Sequence, residues 1–455
     1  MSRDLRRRAG RRWIWAALVV LVAAAAVLGL VLLPSSGQPT IAAEPAYETP
    51  APGIVPVADP GPVVDPQALA AALAPVVANP ALGTFSGIIG DAAAGTVLWS
   101  ADPDRPMIPA STAKILTAAA ALLVLPTDGR LTTSVVAGAN GDAVLVGSGD
   151  PTLTATDPTG YFPGAARIAD LAAGIRSSGT PVTRVVVDIS HYEGPDWASG
   201  WFPEDIAGGY IAPIQPVMLD AARLDPAVDE SPRSATPALD AGRALATALG
   251  LDPAQVILGD APTDASALAS VESAPLLTRL QQMIGGSDNV LAEAIGRQVA
   301  VATGRPASFA GADDAILSTL RDSGFSVDGV VMADASGLSE DDRVSASLLG
   351  AIISAAAGRA DAPNTAALRP LLDMLPVAGA TGTLTDRYVG ADRTGAGWIR
   401  AKTGTLTVAG ALVGYVTDVN GRVLTFALMS NGSPPEAHRP ALDAVAQTLR
   451  RCGCV

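Results

Sequence analysis

Ser111 and Lys114 stand three residues apart at the start of an Ala/Leu-rich run from Pro109 to Leu125 whose composition predicts a helix. On a helix, positions i and i+3 are surface neighbours, so the hydroxyl and the amine can meet. A serine hydroxyl becomes a nucleophile when an adjacent base takes its proton, and an amine does this only when neutral. Lys114 is therefore the candidate base. The chain holds only two lysines, Lys114 and Lys402, among 30 Lys and Arg residues. Arginine cannot give up its proton near neutrality or present a compact charge. Both lysines are thereby marked as positions where the chemistry requires that residue type.

Two further polar stretches follow in order, Gly286-Ser-Asp-Asn-Val290 and Ala401-Lys-Thr-Gly-Thr-Leu406. Convergent with Ser111, they form a complete acyl-transfer set. Ser287 would pass a proton between Lys114 and a leaving amine, and Asn289 would hold a substrate amide. Lys402 with the Thr403 and Thr405 hydroxyls would bind a carboxylate, and Gly404 would let substrate approach the backbone. Backbone N–H groups of Ser111 and Thr405 would make the oxyanion hole. Taken singly, Ser-Asp-Asn also reads as a helix cap, and the lysine strand as an ordinary protected edge. The base also has an energetic requirement. An ordinary lysine is neutral in roughly one molecule in 2,500 at pH 7, a cost of about 4.6 kcal/mol. Burial and a second cation lower that cost, and Lys402 is the candidate cation.

These groups need elements to hold them. Pro66 to Val77 has a helical pattern, and Phe85 to Ser100 reads as a hairpin turning at Ala-Ala-Ala-Gly. A proline-punctuated loop delivers the chain to the Ser111 helix, which stops at Pro126. Short strands at Leu131 to Ala137, Ala143 to Val146 and Val182 to Asp188, with a helix near Ala165 to Ser177, lie between the first and second motifs. That separation exceeds what one helical lobe needs, so a smaller domain is inserted there. Helices resume at Ala238, and Trp398 to Met429 reads as an antiparallel meander closed by a helix from Pro435 to Arg450. The expected fold class is α+β: an antiparallel sheet flanked by helices, residues 63–130 and 238–455, split by an inserted domain over 131–237.

The 455-residue chain is 49% hydrophobic and 16% charged, a globular composition with net charge −14. Six arginines fall within residues 1–12, which makes the remainder still more acidic. An acidic body argues against a nucleic-acid partner, because phosphate binding depends on Lys and Arg. Trp13 to Leu33 carries no charge, and at about 1.5 Å per residue it spans roughly 31 Å, enough to cross a bilayer core. The arginines place its N-terminal end in the cytoplasm and the rest outside. An uncleaved single-pass anchor in the cell membrane and a cleaved signal peptide are both open, the length favouring the anchor. Residues 34–62, rich in Pro, Ala and Gly, read as a tether. With two histidines and one Cys-x-Cys, Cys452 and Cys454, the chain shows no metal-site spacing, and no cofactor is expected. Outside the membrane the two thiols could close a local loop or bridge two chains.

The order S-x-x-K, S-D-N, K-T-G is the signature of active-site serine penicillin-binding proteins and related β-lactamases. Beyond it, the chain resembles the D-alanyl-D-alanine carboxypeptidase/endopeptidase family of low-molecular-mass class C penicillin-binding proteins, peptidase family S13. The likeness rests on Gly149-Asp-Pro-Thr-Leu153, the strand ending at Asp188, Trp197 and Trp201 with Tyr210-Ile-Ala-Pro213, Asp334-Ala-Ser-Gly-Leu-Ser339, Leu375-Pro-Val-Ala-Gly and Gly382-Thr-Leu384. The resemblance implies a β-lactamase/DD-transpeptidase-like domain acting on D-Ala-D-Ala ends or cross-links of peptidoglycan stem peptides, and acylated by β-lactams. By position it puts Asp188 and Tyr192 at the side-chain subsite, with loop packing as the alternative. Two departures stand out. One inserted subdomain of the family is missing after Leu224, and Glu340 occupies a position where the family commonly has arginine, with Arg343 as the nearby replacement. Rival readings are a β-lactamase, for which no E-x-x-L-N loop is present, and a non-catalytic cell-wall-binding protein.

Overall fold

The computed structural model describes residues 61–156 and 160–455. The expected cytoplasmic segment, apolar segment 13–33 and nearly all of the tether lie outside them. Among the described residues no helix is long and apolar enough to cross a membrane.

The expected hairpin is β1 (Thr84–Asp91) and β2 (Thr96–Ala101), and the meander is β8 (Ile399–Leu406), β9 (Ala409–Thr417) and β10 (Val423–Asn431). They join in one antiparallel sheet of order β2-β1-β10-β9-β8, in which the first and last segments of the domain meet as β1 and β10. β8, which carries the second lysine, is therefore an edge strand.

One face of this sheet packs on helices Pro66–Val77 and Pro435–Arg451, whose Leu69, Leu73, Leu442, Val445 and Leu449 are buried against Leu412, Leu424 and Phe426. Helix Ala346–Ala357 covers the other face and opens into an all-helical lobe. At its centre is helix Lys114–Val124, buried at every position from Lys114 to Leu122. Its Ala/Leu composition is apolar all round, which suits the interior of a bundle rather than an amphipathic surface.

The inserted segment forms a second sheet of order β6-β5-β4-β3-β7, with β3 (Thr132–Ala137), β4 (Asp142–Val146), β5 (Arg184–Asp188), β6 (Ile257–Leu258) and β7 (Ala267–Glu272). Helix Ile168–Ser178 packs on it. This corrects the expected boundary at 237. Helix Pro237–Leu249 buries Ala238, Ala241 and Leu245 with this sheet's Val185 and Val187, and β6 and β7 form its two edges, so the insertion closes only before helix Leu276–Gly286. An apolar helix face does not itself specify which of two sheets it will cover. Residues 226–237 have linker composition, yet an antiparallel bridge between Arg223 and Arg233 folds the start of this segment back on itself.

Candidate active site

Ser111 sits in a tight 3₁₀ turn, Ala110–Ala113, that leads directly into helix Lys114–Val124. Ala110 holds φ +47°, a left-handed conformation costly for a residue with a Cβ. The turn puts Lys114 Nζ 3.0 Å from Ser111 Oγ, as the spacing predicts. The same amine donates to Asn289 Oδ1 at 2.5 Å and to the Ser336 carbonyl at 2.7 Å. Lys114 has no exposed surface. Burial pushes its pKa from the ordinary 10.5 down to about 8, against the opposing pull of Asp334, Asp288, Glu293 and Asp342.

Ser287 ends helix Leu276–Gly286 in the left-handed region, φ +59°. Asp288 then caps helix Asn289–Ala302 by accepting from Leu291 N at 2.8 Å. The capping reading and the site reading of Ser-Asp-Asn are thus both realised, on different residues. The left-handed Ser287 turns its hydroxyl to Lys402 Nζ, 2.8 Å away. Asn289 was expected on a substrate amide. Its oxygen accepts from Lys114, and its nitrogen donates to the Tyr210 carbonyl at 3.0 Å.

Lys402 lies on β8, buried completely, with Ser287 Oγ and the Thr403 carbonyl as acceptors. Burial first, and then the charge of Lys114, push its pKa well below the ordinary value. Burial, opposed by the acidic groups around it, is what lowers Lys114, and Lys402 has no carboxylate partner among the described residues. Gly404 abuts the nucleophile's turn. A Cβ there would fall 2.7 Å from the Pro109 carbonyl and 3.3 Å from Ser111 N, so only glycine allows β8 this close to Ser111. On either side of it, Thr403 Oγ1 meets Thr383 Oγ1 at 2.8 Å, and Thr405 Oγ1 accepts from Arg439 Nε at 3.3 Å.

Two expected residues stay outside this cluster. Both carboxylate oxygens of Asp188 accept backbone amides, from Ser190 and Ala261, which makes it a loop brace. Tyr192 packs its hydroxyl beneath Gly149 and its ring beside Arg297. Arg343, considered as a stand-in for a cation near Glu340, donates to the Glu340 and Asp342 carbonyls at 2.7 Å each.

Motif reading missed the support beneath the cluster. Asp334 accepts from the amides of Ser336, Gly337 and Ser339 and from Trp201 Nε1. Glu293 Oε1 accepts from Ala335 N at 2.9 Å. Together they hold the turn whose Ser336 carbonyl receives Lys114. Burial raises Glu293 to about 8 and Asp313 to about 7, and raises Asp342 well above its ordinary value. Asp288 is held by Arg223 at 2.9 Å, with Arg233 at 3.8 Å. The visible signal was four acids at 293, 313, 334 and 342, which spacing alone could not assemble. Cys452 and Cys454 pair with each other, and His438 is buried under Gly410.

The sequence model of the D-Ala-D-Ala carboxypeptidase 3 (S13) family matches residues 69–234 and 227–452. A carboxypeptidase of Mycobacterium tuberculosis is 53% identical over 409 residues, covering 88% of each chain. Carboxypeptidase DacB of Mycolicibacterium smegmatis is 50% identical over 451 residues, covering 96% of this chain and 95% of its own. In fold, the chain is similar to penicillin binding protein 4 of Haemophilus influenzae, with TM-score 0.64 and 22% identity over 85% of this chain and 98% of that one. The α+β architecture deduced above is thus that of known penicillin-binding proteins. With a serine, two buried lysines and their motifs in register, the chain belongs to the D-Ala-D-Ala carboxypeptidase 3 (S13) family of peptidases.

Proposed function

We propose that Ser111 is the acylated nucleophile of a serine-type D-Ala-D-Ala carboxypeptidase/endopeptidase acting on peptidoglycan stem peptides. The observation that carries this reading is the fully buried Lys114 amine, 3.0 Å from Ser111 Oγ, with a pKa lowered to about 8. A neutral Lys114 takes the Ser111 proton as Oγ attacks the carbonyl of the penultimate D-alanine. The tetrahedral oxygen is received by the backbone N–H groups of Ser111 and Thr405, on segments that the absent Cβ of Gly404 brings together. Collapse breaks the amide bond, and Ser287, backed by Lys402, delivers the proton to the departing D-alanine amine. Water then cleaves the acyl-enzyme ester.

β-Lactams would acylate the same serine. A complex with a β-lactam is described for the Haemophilus protein, a neighbour in fold. Intact-mass measurement after incubation with benzylpenicillin should show one covalent adduct on the wild type and none on Ser111→Ala. A D-alanine release assay on acyl-D-Ala-D-Ala peptides should follow the same pattern. An adduct that persists on Ser111→Ala would overturn the assignment.

The uncharged stretch 13–33 behind six arginines supports a single-pass membrane anchor with the peptidase outside the cytoplasm. Membrane fractionation with sequencing of the mature N-terminus tests this. Recovery in the soluble fraction with a new N-terminus after residue 33 would replace the anchor by a cleaved signal.

A further inference from the structure

Asp220, Ala221 and Ala222 hold φ +49°, +53° and +65°, three consecutive left-handed residues that each carry a Cβ. Such a run is costly and persists only where its surroundings over-determine it. Two arginines hold it here: Arg223 Nη1 donates to the Asp220 carbonyl at 3.2 Å, and Arg233 Nη1 to the Ala221 carbonyl at 2.6 Å. Both guanidiniums also face Asp288, the middle residue of Ser-Asp-Asn. Arg233 reaches a third point. Its side chain is 4% exposed, its Nε donates to the Gly209 carbonyl at 2.8 Å, and its Nη2 lies 3.8 Å from Asp288 Oδ2. Its backbone N–H donates to the Ile206 carbonyl at 2.9 Å, so residues 206–209 are held against it at both ends. The next residue, Tyr210, supplies the carbonyl that accepts from Asn289 Nδ2 at 3.0 Å. One side chain thus braces Asn289 from two directions. It reaches the backbone through Asp288, which caps the helix that Asn289 begins, and the amide through Gly209 and Tyr210. With Nδ2 on Tyr210, Oδ1 is the end presented to Lys114 Nζ.

We propose that Arg233 is a positioning residue for the acyl-transfer reaction, setting the orientation of the Asn289 amide and, through it, the hold on Lys114. The inference rests on the serine-peptidase reading above and deepens it, adding to the site a residue of the inserted segment, from a stretch of linker composition. A guanidinium suits the task because its planar fork reaches several acceptors in fixed directions, which a lysine ammonium cannot do. Burial makes each bond costly to lose, since a stranded carbonyl or carboxylate finds no water in its place. The two ends of an amide are chemically different, so a rotated Asn289 would offer Lys114 a donor where it now offers an acceptor.

A double-mutant cycle tests this, read as the second-order rate of acylation by benzylpenicillin. Arg233→Met should slow acylation about tenfold, and Arg233→Lys, which keeps the cation without the fork, should recover part of that loss. In the Asn289→Ala background, Arg233→Met should change the rate by less than about twofold, because the group it acts through is gone. Losses of equal size in the two backgrounds, or no loss in either, would overturn the proposal. Crystal structures of Arg233→Met and the milder Arg233→Lys read the geometry without turnover. The Asn289 amide should leave the Tyr210 carbonyl, and an amide still bonded to it in both variants would overturn the proposal as well. A wild type that takes no penicillin would count against the serine-peptidase reading instead, and the crystal structures would still judge Arg233.

Discussion

Lys402 Nζ donates to Ser287 Oγ across 2.8 Å, joining two segments 115 residues apart in the chain. The contact makes Ser287 the only side-chain hydroxyl bonded to Lys402 among the described residues and sets it up as the last carrier of the proton to the leaving amine. Ser287→Ala should lower kcat/KM on an amide substrate by about 10²- to 10⁴-fold. A D-lactate ester of the same acyl group has a leaving oxygen that needs less proton assistance, and it should lose much less. Equal losses on amide and ester would remove the proton-transfer role.

Lys114 titrates near 8 rather than 10.5. Because the neutral amine is the base, the rate of acylation by penicillin should rise with pH and level off above about 8. Folding carries the matching sign: between about 8 and 10.5 the unfolded chain binds a proton that the folded state has released, so Lys114 contributes increasing stability as pH rises through that window. Lys114→Met should abolish acylation and flatten this part of the stability profile, as stopped-flow labelling and denaturant titration can read. A wild-type acylation rate independent of pH from 6 to 9 would rule the base assignment out.

Glu293 is the reverse case. Burial first, and then the charge of Asp334, raise it from 4.5 to about 8, so its contribution to stability is complete below 4.5 and is lost as pH climbs to about 8. Glu293→Gln keeps an oxygen for Ala335 N and should remove that decline. It should also shift the midpoint of the acylation profile downward, because one of the carboxylates raising Lys114 is gone. A melting series from pH 4.5 to 8.5, combined with the acylation profile, checks both; unchanged profiles would confine Glu293 to packing.

Arg223 and Asp288 are both buried, with 2% of either side chain exposed, and lie 2.9 Å apart. Arg223→Met leaves Asp288 with only the more distant Arg233 as a cationic partner. The expected cost is about 3 kcal/mol, measured by chemical denaturation, since one partner of a buried pair is stranded. A loss below about 1 kcal/mol would mean that Asp288 is satisfied by its cap contact alone.

Gly337 has φ +77°, and a Cβ there would fall 2.0 Å from the Ala110 carbonyl, the residue before the nucleophile. Neither backbone can yield without moving Ser336 O off Lys114 or Ser111 off its turn. Gly337→Ala should lower the melting temperature and slow acylation by at least about tenfold. Wild-type labelling by this variant would show that the turn is not required.

What the linear chain determined was local. A serine and a lysine at i and i+3 meet because helical geometry alone brings them together, and the β1–β2 hairpin and the β8–β10 meander follow from alternation and short turns. Scarcity of lysine singled out both amines. Tertiary structure decided everything that depends on which surfaces meet. Helix Pro237–Leu249 and strands β6 and β7 went to the inserted sheet, because an apolar face specifies burial but not a partner. Glu293, Asp334 and Asp342 became one acidic core around the Ser336 turn. Desolvation without a carboxylate partner lowered the proton affinity of Lys402, while Arg439, far along the chain and outside every motif, reached Thr405. Charge and proton affinity are set by what surrounds a group in three dimensions, and that environment is absent from the order of residues.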